Sequence, residues 1–229
     1  MRISTLSEES GVSVASIKYY LREGLLFAGE ASNATRTEYG AEHVARLRLI
    51  RALIDVGGLS VGAARAVLAA IDDAAMPIVH AFGLAQHAVT ASLVSSTAPS
   101  ATALARITAL KVERGWQVHE QNPGELVAAR VVDAYEALGR PDLIAVLPAY
   151  AEAAEIVARA DLDTVLAVGP EGRTRMVETV VVGTALGDGL FTGLRRVAQE
   201  HVARQLGLPG SSLEHAAEQK LADPKDDLS

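Results

Sequence analysis

The stretch RISTLSEESGVSVASIKYYLREGLL, residues 2–26, decides how the N-terminal region folds. Ser4 and Ser13 each precede a helical pattern, and a serine hydroxyl caps a helix by accepting a hydrogen bond from the backbone N–H groups of its first turn. Gly11 turns the chain between the two helices, and Gly24 ends the second one, because glycine adopts the left-handed backbone of a helix end. Two short helices joined by such a turn predict a helix-turn-helix.

A wing and two further helices are predicted after this motif. Residues 25–39 lack a helical period and contain polar turn residues, which indicates two short strands around a loop. An apolar stripe predicts a helix over residues 41–55, with Arg46 off that stripe. The pair Gly57-Gly58 ends this helix, and Ser60 caps another that continues to about residue 71.

The composition favours a mainly α protein. Aromatic residues make up only 4% of the 229 residues, and alanine, the best helix former, is abundant. Cysteine is absent, which excludes disulfides, thiolate metal sites and a cysteine nucleophile. No secretory signal pattern begins the sequence, and no uninterrupted apolar run reaches the roughly 18 residues of a membrane span. We therefore expect a cytoplasmic location, no membrane partner, no cofactor and no metal site.

The charges are distributed unevenly along the chain. The net charge is −7, which by itself argues against a nucleic-acid binder. Residues 1–71, however, carry eight lysines and arginines against seven acidic residues, so that the remaining residues hold all of the acidic excess. A slightly basic head on an acidic body fits a DNA-reading head that does not bind DNA indiscriminately.

A second apolar stripe lies between Pro77 and Pro99. A helix is predicted over residues 78–96, and its apolar residues recur at spacings of four, three, four and four, which is typical of a helix–helix seam. We expect this helix to mediate dimerisation through four residues: Ile78, Phe82, Val89 and Leu93.

The remainder of the chain predicts an all-helical bundle. Ser100 and Asn122 cap two helices, and a helix opened by Pro141 is kinked or broken at Pro148, since an interior proline removes a backbone hydrogen bond. A last long helical segment covers residues 171–205. Gly187 and Gly189 are a candidate break within this segment.

Three segments in the right order resemble the MerR family of transcription regulators. These are residues 2–26, TRTEYGAEHVARLRLIRAL at residues 35–53 and DVGGLSVGAARAVLAAID at residues 55–72, together about a third of the chain. The resemblance implies a dimer that forms through an antiparallel helix seam and binds a near-palindromic operator in double-stranded promoter DNA. It also implies that the dimer distorts the DNA between promoter elements, so that it acts on RNA polymerase indirectly.

The family resemblance and the chemistry of the side chains together assign the DNA contacts. Hydroxyls and cations on the second helix can reach base edges and phosphates, and a cation and a phenol on the wing can bind the backbone. Lys18 stands where many family members have arginine, so it keeps the charge but loses bidentate geometry. Tyr20 is either a further contact or a core residue. The predicted contacts are Ser13, Ser16, Lys18, Tyr19, Arg22, Arg36 and Tyr39.

Four regions follow from these signals. Residues 1–72 form the winged helix-turn-helix, residues 73–98 the linker and dimerisation helix, residues 99–208 a helical domain that binds an effector or oligomerises, and residues 209–229 a flexible tail. Residues 176–205 are distantly similar to the last helices of TetR-type ligand-binding domains. Such a bundle can hold an apolar small molecule, with Trp116, Tyr135, Tyr150, Met176 and Phe191 as candidate contacts, although ordinary core or interface roles explain the same residues.

Two functions remain open at the level of sequence. The first is a regulator that responds to an apolar effector, and the second is a constitutive repressor or architectural DNA-binding protein whose C-terminal bundle only oligomerises. An enzyme is not expected, because the sequence contains no nucleophile elbow, no phosphate-binding glycine loop and no paired-histidine metalloprotease helix.

Overall fold

The protein is mainly helical, as its composition predicts. The computed structural model describes residues 1–33, 36–91, 97–119, 122–169 and 172–208, and the side chains of residues 31–36 lie outside this description. Two short antiparallel strands are the one sheet among the described residues.

The N-terminal elements follow the predicted order of helix-turn-helix, wing and helix pair. A single turn of π-helix, Ala52–Val56, joins the third helix to the two glycines that end it. The elements are α1 (Ile3–Ser10), α2 (Val14–Arg22), β1 (Glu30–Asn33), β2 (Arg36–Glu38), α3 (Ala41–Arg51) and α4 (Val61–Asp72).

Two of the three serine caps predicted in this region are confirmed. The Ser13 hydroxyl accepts from the Ser16 backbone N–H at 3.1 Å, and the Ser60 hydroxyl accepts from the Ala63 N–H at 3.2 Å. The prediction for Ser4 was wrong, because α1 begins at Ile3 and its N-terminus has no side-chain cap. Ile3 packs against the apolar core, and such tertiary packing can extend a helix past the point that capping alone would set.

Six helices follow in the described residues. The predicted caps Ser100 and Asn122 accept hydrogen bonds from the Ala103 and Gly124 backbone N–H groups. The helix that begins at Pro141 is interrupted rather than kinked before Pro148. The end of the helix predicted over residues 78–96 falls on residues 92–96, outside the described residues. The helices are α5 (Ile78–Thr90), α6 (Ala101–Arg114), α7 (Pro123–Ala137), α8 (Pro141–Ile144), α9 (Leu147–Leu166) and α10 (Arg173–Gln205).

Helix α10 passes through Gly187 and Gly189 without interruption, so the predicted break there was wrong. Glycine ends a helix when it turns the backbone left-handed, as Gly115 and Gly139 do with φ of 67° and 65°. Neither Gly187 nor Gly189 has a positive φ. Each retains its backbone N–H for the helix, and it lowers the stability of the helix by only about 1 kcal/mol relative to alanine.

The chain divides into two compact units, residues 1–186 and 187–229. In the first unit, one apolar cluster contains Leu6, Ile17 and Leu47 together with Val177 and Val181 of α10. The C-terminal helix thus helps to form the core that lies beneath the helix-turn-helix. A second, smaller cluster joins α6 to α7 through Ala103, Ile107, Ala129 and Val132. The second unit is described over residues 187–208, which belong to α10 and to the turn that ends it.

Candidate nucleic-acid interface

Helix α2 is held in place by its apolar side and by the turn before it. Ile17 is fully buried against Leu6 and Val12 in the first cluster. Gly11 has φ of 67°, which lets the chain reverse between α1 and α2. The fixed inner side leaves the opposite face of α2 open to solvent.

The outer face of α2 presents hydroxyls and cations. Ser13 and Lys18 are exposed, and the Ser13 hydroxyl also lies 2.8 Å from that of Ser16. The Arg22 guanidinium lies 5.2 Å from the centre of the Tyr19 ring, at a distance suited to a cation–π contact. This contact orients a cation on the same helix that carries Lys18.

This face of α2 is positively charged. The helix itself contains no acidic residue, and Lys18 forms no ion pair with any residue that the structure describes. Glu23, which follows α2, binds Arg65 of α4 at 2.6 Å and lies farther, at 3.8 Å, from Arg22. Two cations, Lys18 and Arg22, are therefore available to a polyanion on this face.

Tyr20 is partly buried at the edge of the core. Its side chain packs against the first cluster, and its ring lies 5.8 Å from that of Tyr19. Burial, reinforced by the negative charge of Asp55, raises the pKa of the Tyr20 phenol. This packing supports the core role, and a DNA contact by Tyr20 stays a prediction.

The wing is a two-stranded antiparallel ribbon in which Glu30 pairs with Glu38. The backbone of Arg36 pairs with Asn33, whereas the Arg36 side chain lies outside the described part of the chain. Gly29 approaches β2 so closely that a Cβ atom on it would collide with the Glu38 carbonyl oxygen. This close approach requires glycine and fixes the base of the wing.

Tyr39 lies mostly inside the protein, with 9% of its surface exposed. Its ring meets the ring of His43 edge-on, with 5.1 Å between the centroids, and its backbone N–H donates to the Met1 carbonyl at 2.9 Å. This placement supports the wing by packing. A DNA contact by Tyr39 stays a prediction.

The sequence analysis did not identify His43, which is buried at the base of the wing. The His43 ring lies 4.3 Å from the ring of Phe27, and its Nδ1 accepts from the Gly40 N–H at 3.0 Å. The same Nδ1 lies 2.8 Å from a carboxylate oxygen of Glu42. An Nδ1 without a hydrogen accepts from Gly40, and an Nδ1–H donates to Glu42, so the ring makes one of these hydrogen bonds at a time.

Glu42 shows the electrostatic effect of this arrangement. A hydrogen bond from its own backbone N–H, with a smaller contribution from His43, lowers the pKa of the Glu42 carboxyl. A negative charge at the start of α3 is also favoured by the helix dipole.

Arg46 was predicted to lie off the apolar stripe of α3, yet only 8% of its surface is exposed. Its guanidinium donates to both carboxylate oxygens of Asp72, at 2.9 and 2.6 Å, and its Nε donates to the Leu25 carbonyl at 2.9 Å. The residue therefore connects the end of α2 to the end of α4. Its partners are 21 and 26 positions away, so no local pattern could reveal them.

The four residues predicted for dimerisation lie on or beyond α5. Ile78, Phe82 and Val89 are partly buried and pack against the first cluster within the same chain. Leu93 lies outside the described residues. The role of this set in dimerisation stays a prediction.

The predicted ligand contacts occupy different parts of the fold. The Trp116 indole N–H donates to Glu155 of α9, and Arg114 binds the same carboxylate and the Pro148 carbonyl. Tyr135 is half-buried on α7, Tyr150 is exposed on α9, Met176 packs against the first cluster, and Phe191 belongs to the second unit. A groove of about 470 Å³ lies elsewhere, along the end of α10 between Arg195 and Leu208.

Comparison with known proteins agrees with this geometry. Residues 1–71 match the model of the MerR HTH family regulatory proteins. The structure is similar to the crystal structure of SCO5550 from Streptomyces coelicolor A3(2), a protein assigned as a transcriptional regulator. The similarity covers 90% of this chain and 97% of the SCO5550 chain. The two sequences are 32% identical, and the TM-score is 0.60.

The chain belongs to the MerR family of transcriptional regulators. No curated protein matches it. In this MerR-family chain, α1 and α2 form the helix-turn-helix, β1 and β2 form the wing, and α3 and α4 complete the matched region.

Proposed function

We propose that this MerR-family regulator binds a near-palindromic promoter operator as a homodimer and distorts it, so that RNA polymerase is affected through the shape of the DNA. The exposed, positively charged face of α2 carries this proposal. Ser13, Ser16, Lys18, Tyr19 and Arg22 share that helix, and a recognition helix of this kind lies in the major groove.

The wing is the second proposed contact. The backbone of Arg36 is held in β2, and Gly29 and Tyr39 fix the base of the ribbon. We expect Arg36 to bind a phosphate beside the groove that α2 occupies, with Tyr39 as its neighbour.

We also propose that an apolar effector controls the DNA-binding region, residues 1–72, through the helices of residues 99–208. The support is that Val177, Val180 and Val181 of α10 belong to the core beneath the helix-turn-helix. A ligand that displaces α10 would therefore change the packing that positions α2. Trp116, Tyr135, Tyr150, Met176 and Phe191 remain the proposed contacts.

Footprinting on the DNA upstream of the protein's own gene, at moderate salt, tests the DNA-binding proposal. We expect protection of a near-palindrome, with hypersensitive bases at its centre where the DNA is distorted. Arg36→Ala should weaken this protection, whereas Arg140→Ala, which removes an exposed cation of α8's N-terminus, should not. Equal protection by both variants would show that the Arg36 side chain of the wing does not contact the DNA.

A thermal shift with a panel of apolar small molecules tests the effector. A compound that binds the folded state raises its melting temperature, and the same compound should alter the footprint. Stabilisation by none of a broad panel would favour the constitutive repressor or architectural protein instead.

A further inference from the structure

The buried histidine at the base of the wing has two alternative partners for one ring nitrogen. The His43 side chain is 4% exposed, and its Nδ1 lies 3.0 Å from the Gly40 backbone nitrogen and 2.8 Å from a carboxylate oxygen of Glu42. Its Nε2 lies 3.5 Å from the Ala28 carbonyl oxygen. Both nitrogens of the ring therefore have partners, as buried polar atoms in proteins generally do.

Two protonation states of this ring satisfy the partners around it. With a hydrogen on Nε2 alone, the neutral ring accepts from the Gly40 N–H and donates to the Ala28 carbonyl. With hydrogens on both nitrogens, the charged ring donates to Glu42 and still donates to Ala28. With a hydrogen on Nδ1 alone, the Nε2 lone pair would meet the Ala28 carbonyl oxygen, and the two would repel each other. The neutral and the charged ring thus differ in one hydrogen-bond partner.

Glu42 carries the charge that such a proton neutralises. Its carboxylate lies so close to Gly40 that a Cβ atom there would collide with it, and 62% of the Glu42 side chain is exposed. A hydrogen bond from its own backbone N–H lowers the pKa of the Glu42 carboxyl. The carboxylate is therefore negatively charged across the range from pH 8 to pH 6, in which histidine side chains take up a proton.

Other titratable groups also surround the ring. The Tyr39 ring packs edge-on against it, and the Met1 amino group donates to the Tyr39 carbonyl at 2.6 Å. The ribbon adds the carboxylates of Glu30 and Glu38, and residues 27–29 add no titratable side chain. An α-amino group also titrates near pH 8, so a test of the ring needs a variant that changes the histidine and leaves the amino group in place.

We propose that proton uptake by His43 moves its Nδ1 hydrogen bond from Gly40 to Glu42 and thereby strengthens the binding of DNA by the wing. The charged ring cancels the negative charge of Glu42, which otherwise repels phosphate beside the contact proposed for the wing. The affinity for DNA then rises as the pH falls. This inference rests on the proposed function and adds a regulation of the same site.

Fluorescence anisotropy of the full chain at pH 8 and pH 6, with DNA from upstream of the protein's own gene, tests the proposal. We expect about tenfold tighter binding at pH 6, since each subunit of the proposed dimer gains about threefold from the cancelled charge. His43→Gln should bind within about twofold at the two pH values, because the amide oxygen accepts from Gly40, as in a capping box, but takes up no proton. The control His80→Gln removes an exposed histidine of α5 and should keep the pH dependence of the wild type.

Glu42→Gln separates the change of charge from a purely structural role of the histidine. Without the carboxylate, binding at pH 8 should already be as tight as that of the wild type at pH 6, and the pH dependence should be lost. Circular dichroism should show the same helical signal for all variants. Should His43→Gln fail to fold, the exposed Glu42 still provides the test. Wild type with equal affinity at the two pH values, or Glu42→Gln with the full pH dependence, overturns the proposal.

Nuclear magnetic resonance of the ring nitrogens in the free, ¹⁵N-labelled protein measures the proton directly. We expect His43 to carry its hydrogen on Nε2 at pH 8 and to gain a second one on Nδ1 toward pH 6. A ring that takes up no proton in this range overturns the proposal. A ring that takes up the proton in a chain that binds no DNA at either pH supports the change of hydrogen-bond partner and contradicts the proposed function.

Discussion

Two helices of this protein carry apolar residues at the spacing of a helix–helix seam, and the fold treats them in opposite ways. In α5, Ala81 and Ala85 are buried and Phe82 packs against the first cluster of the same chain. In the second half of α10, Leu194 and Val197 remain exposed. A period thus identifies an apolar face, but it does not identify the partner that covers the face.

Two alanines give the largest expected effect in this comparison. Ala85 is 1% exposed within α5, whereas Ala198 is exposed in the second half of α10. Ala85→Asp places a carboxylate in the core, which costs several kcal/mol, and we expect it to abolish most of the helical circular dichroism signal at 25 °C. Ala198→Asp should retain the signal, because its side chain lies in water. Retention of the signal by both variants would show that α5 is not part of the core.

Two arginines compare a buried polar contact with an exposed side chain. Arg46→Ala removes the hydrogen-bond donors that bind the Leu25 carbonyl and the Asp72 carboxylate, and we expect urea denaturation to show a loss of about 2 kcal/mol in the free energy of unfolding. This loss is smaller than for a fully buried ion pair, because Asp72 is 57% exposed. Arg196→Ala, on the open part of α10, should change stability by less than about 0.5 kcal/mol. Equal effects would contradict the internal connection through Arg46.

The open face of α2 is compared with the second half of α10 by the salt dependence of DNA binding. Lys18→Ala on α2 removes one proposed phosphate contact, so the slope of log K against log salt should become shallower by about 0.9. Arg196→Ala, in the second half of α10, should leave this slope unchanged. Fluorescence anisotropy at several salt concentrations measures both slopes. Equal slopes for the two variants would show that Lys18 does not contact the DNA.

Two glycines of α10 give the smallest expected effect. Gly189→Ala and Gly193→Ala each remove a poor helix former, and an added Cβ meets nothing within 4 Å at either position. We expect each variant to stabilise the protein by up to about 1 kcal/mol, which urea denaturation measures. A loss of stability in either variant would show that another surface packs against that position.

Much of the candidate DNA-binding site could be predicted, because its signals are local. The Ser13 cap, the Gly11 turn and the outward position of Lys18 all follow from residues within one or two helical turns. The buried positions of His43 and Arg46 could not be predicted in this way, since their neighbours come from other elements, such as Phe27 and Asp72.

The sequence by itself determined the family, the mainly helical fold and the face of α2 that is open to solvent, because caps, turns and helical periods act over a few residues. Only the tertiary structure decided which apolar faces find a partner within the chain. It buried Val177 and Val181 of α10 in the core beneath the helix-turn-helix and left Leu190 and Leu194 of the same helix exposed. The reason is that burial depends on which distant surfaces meet, and the apolar effect that drives it has no direction along the chain.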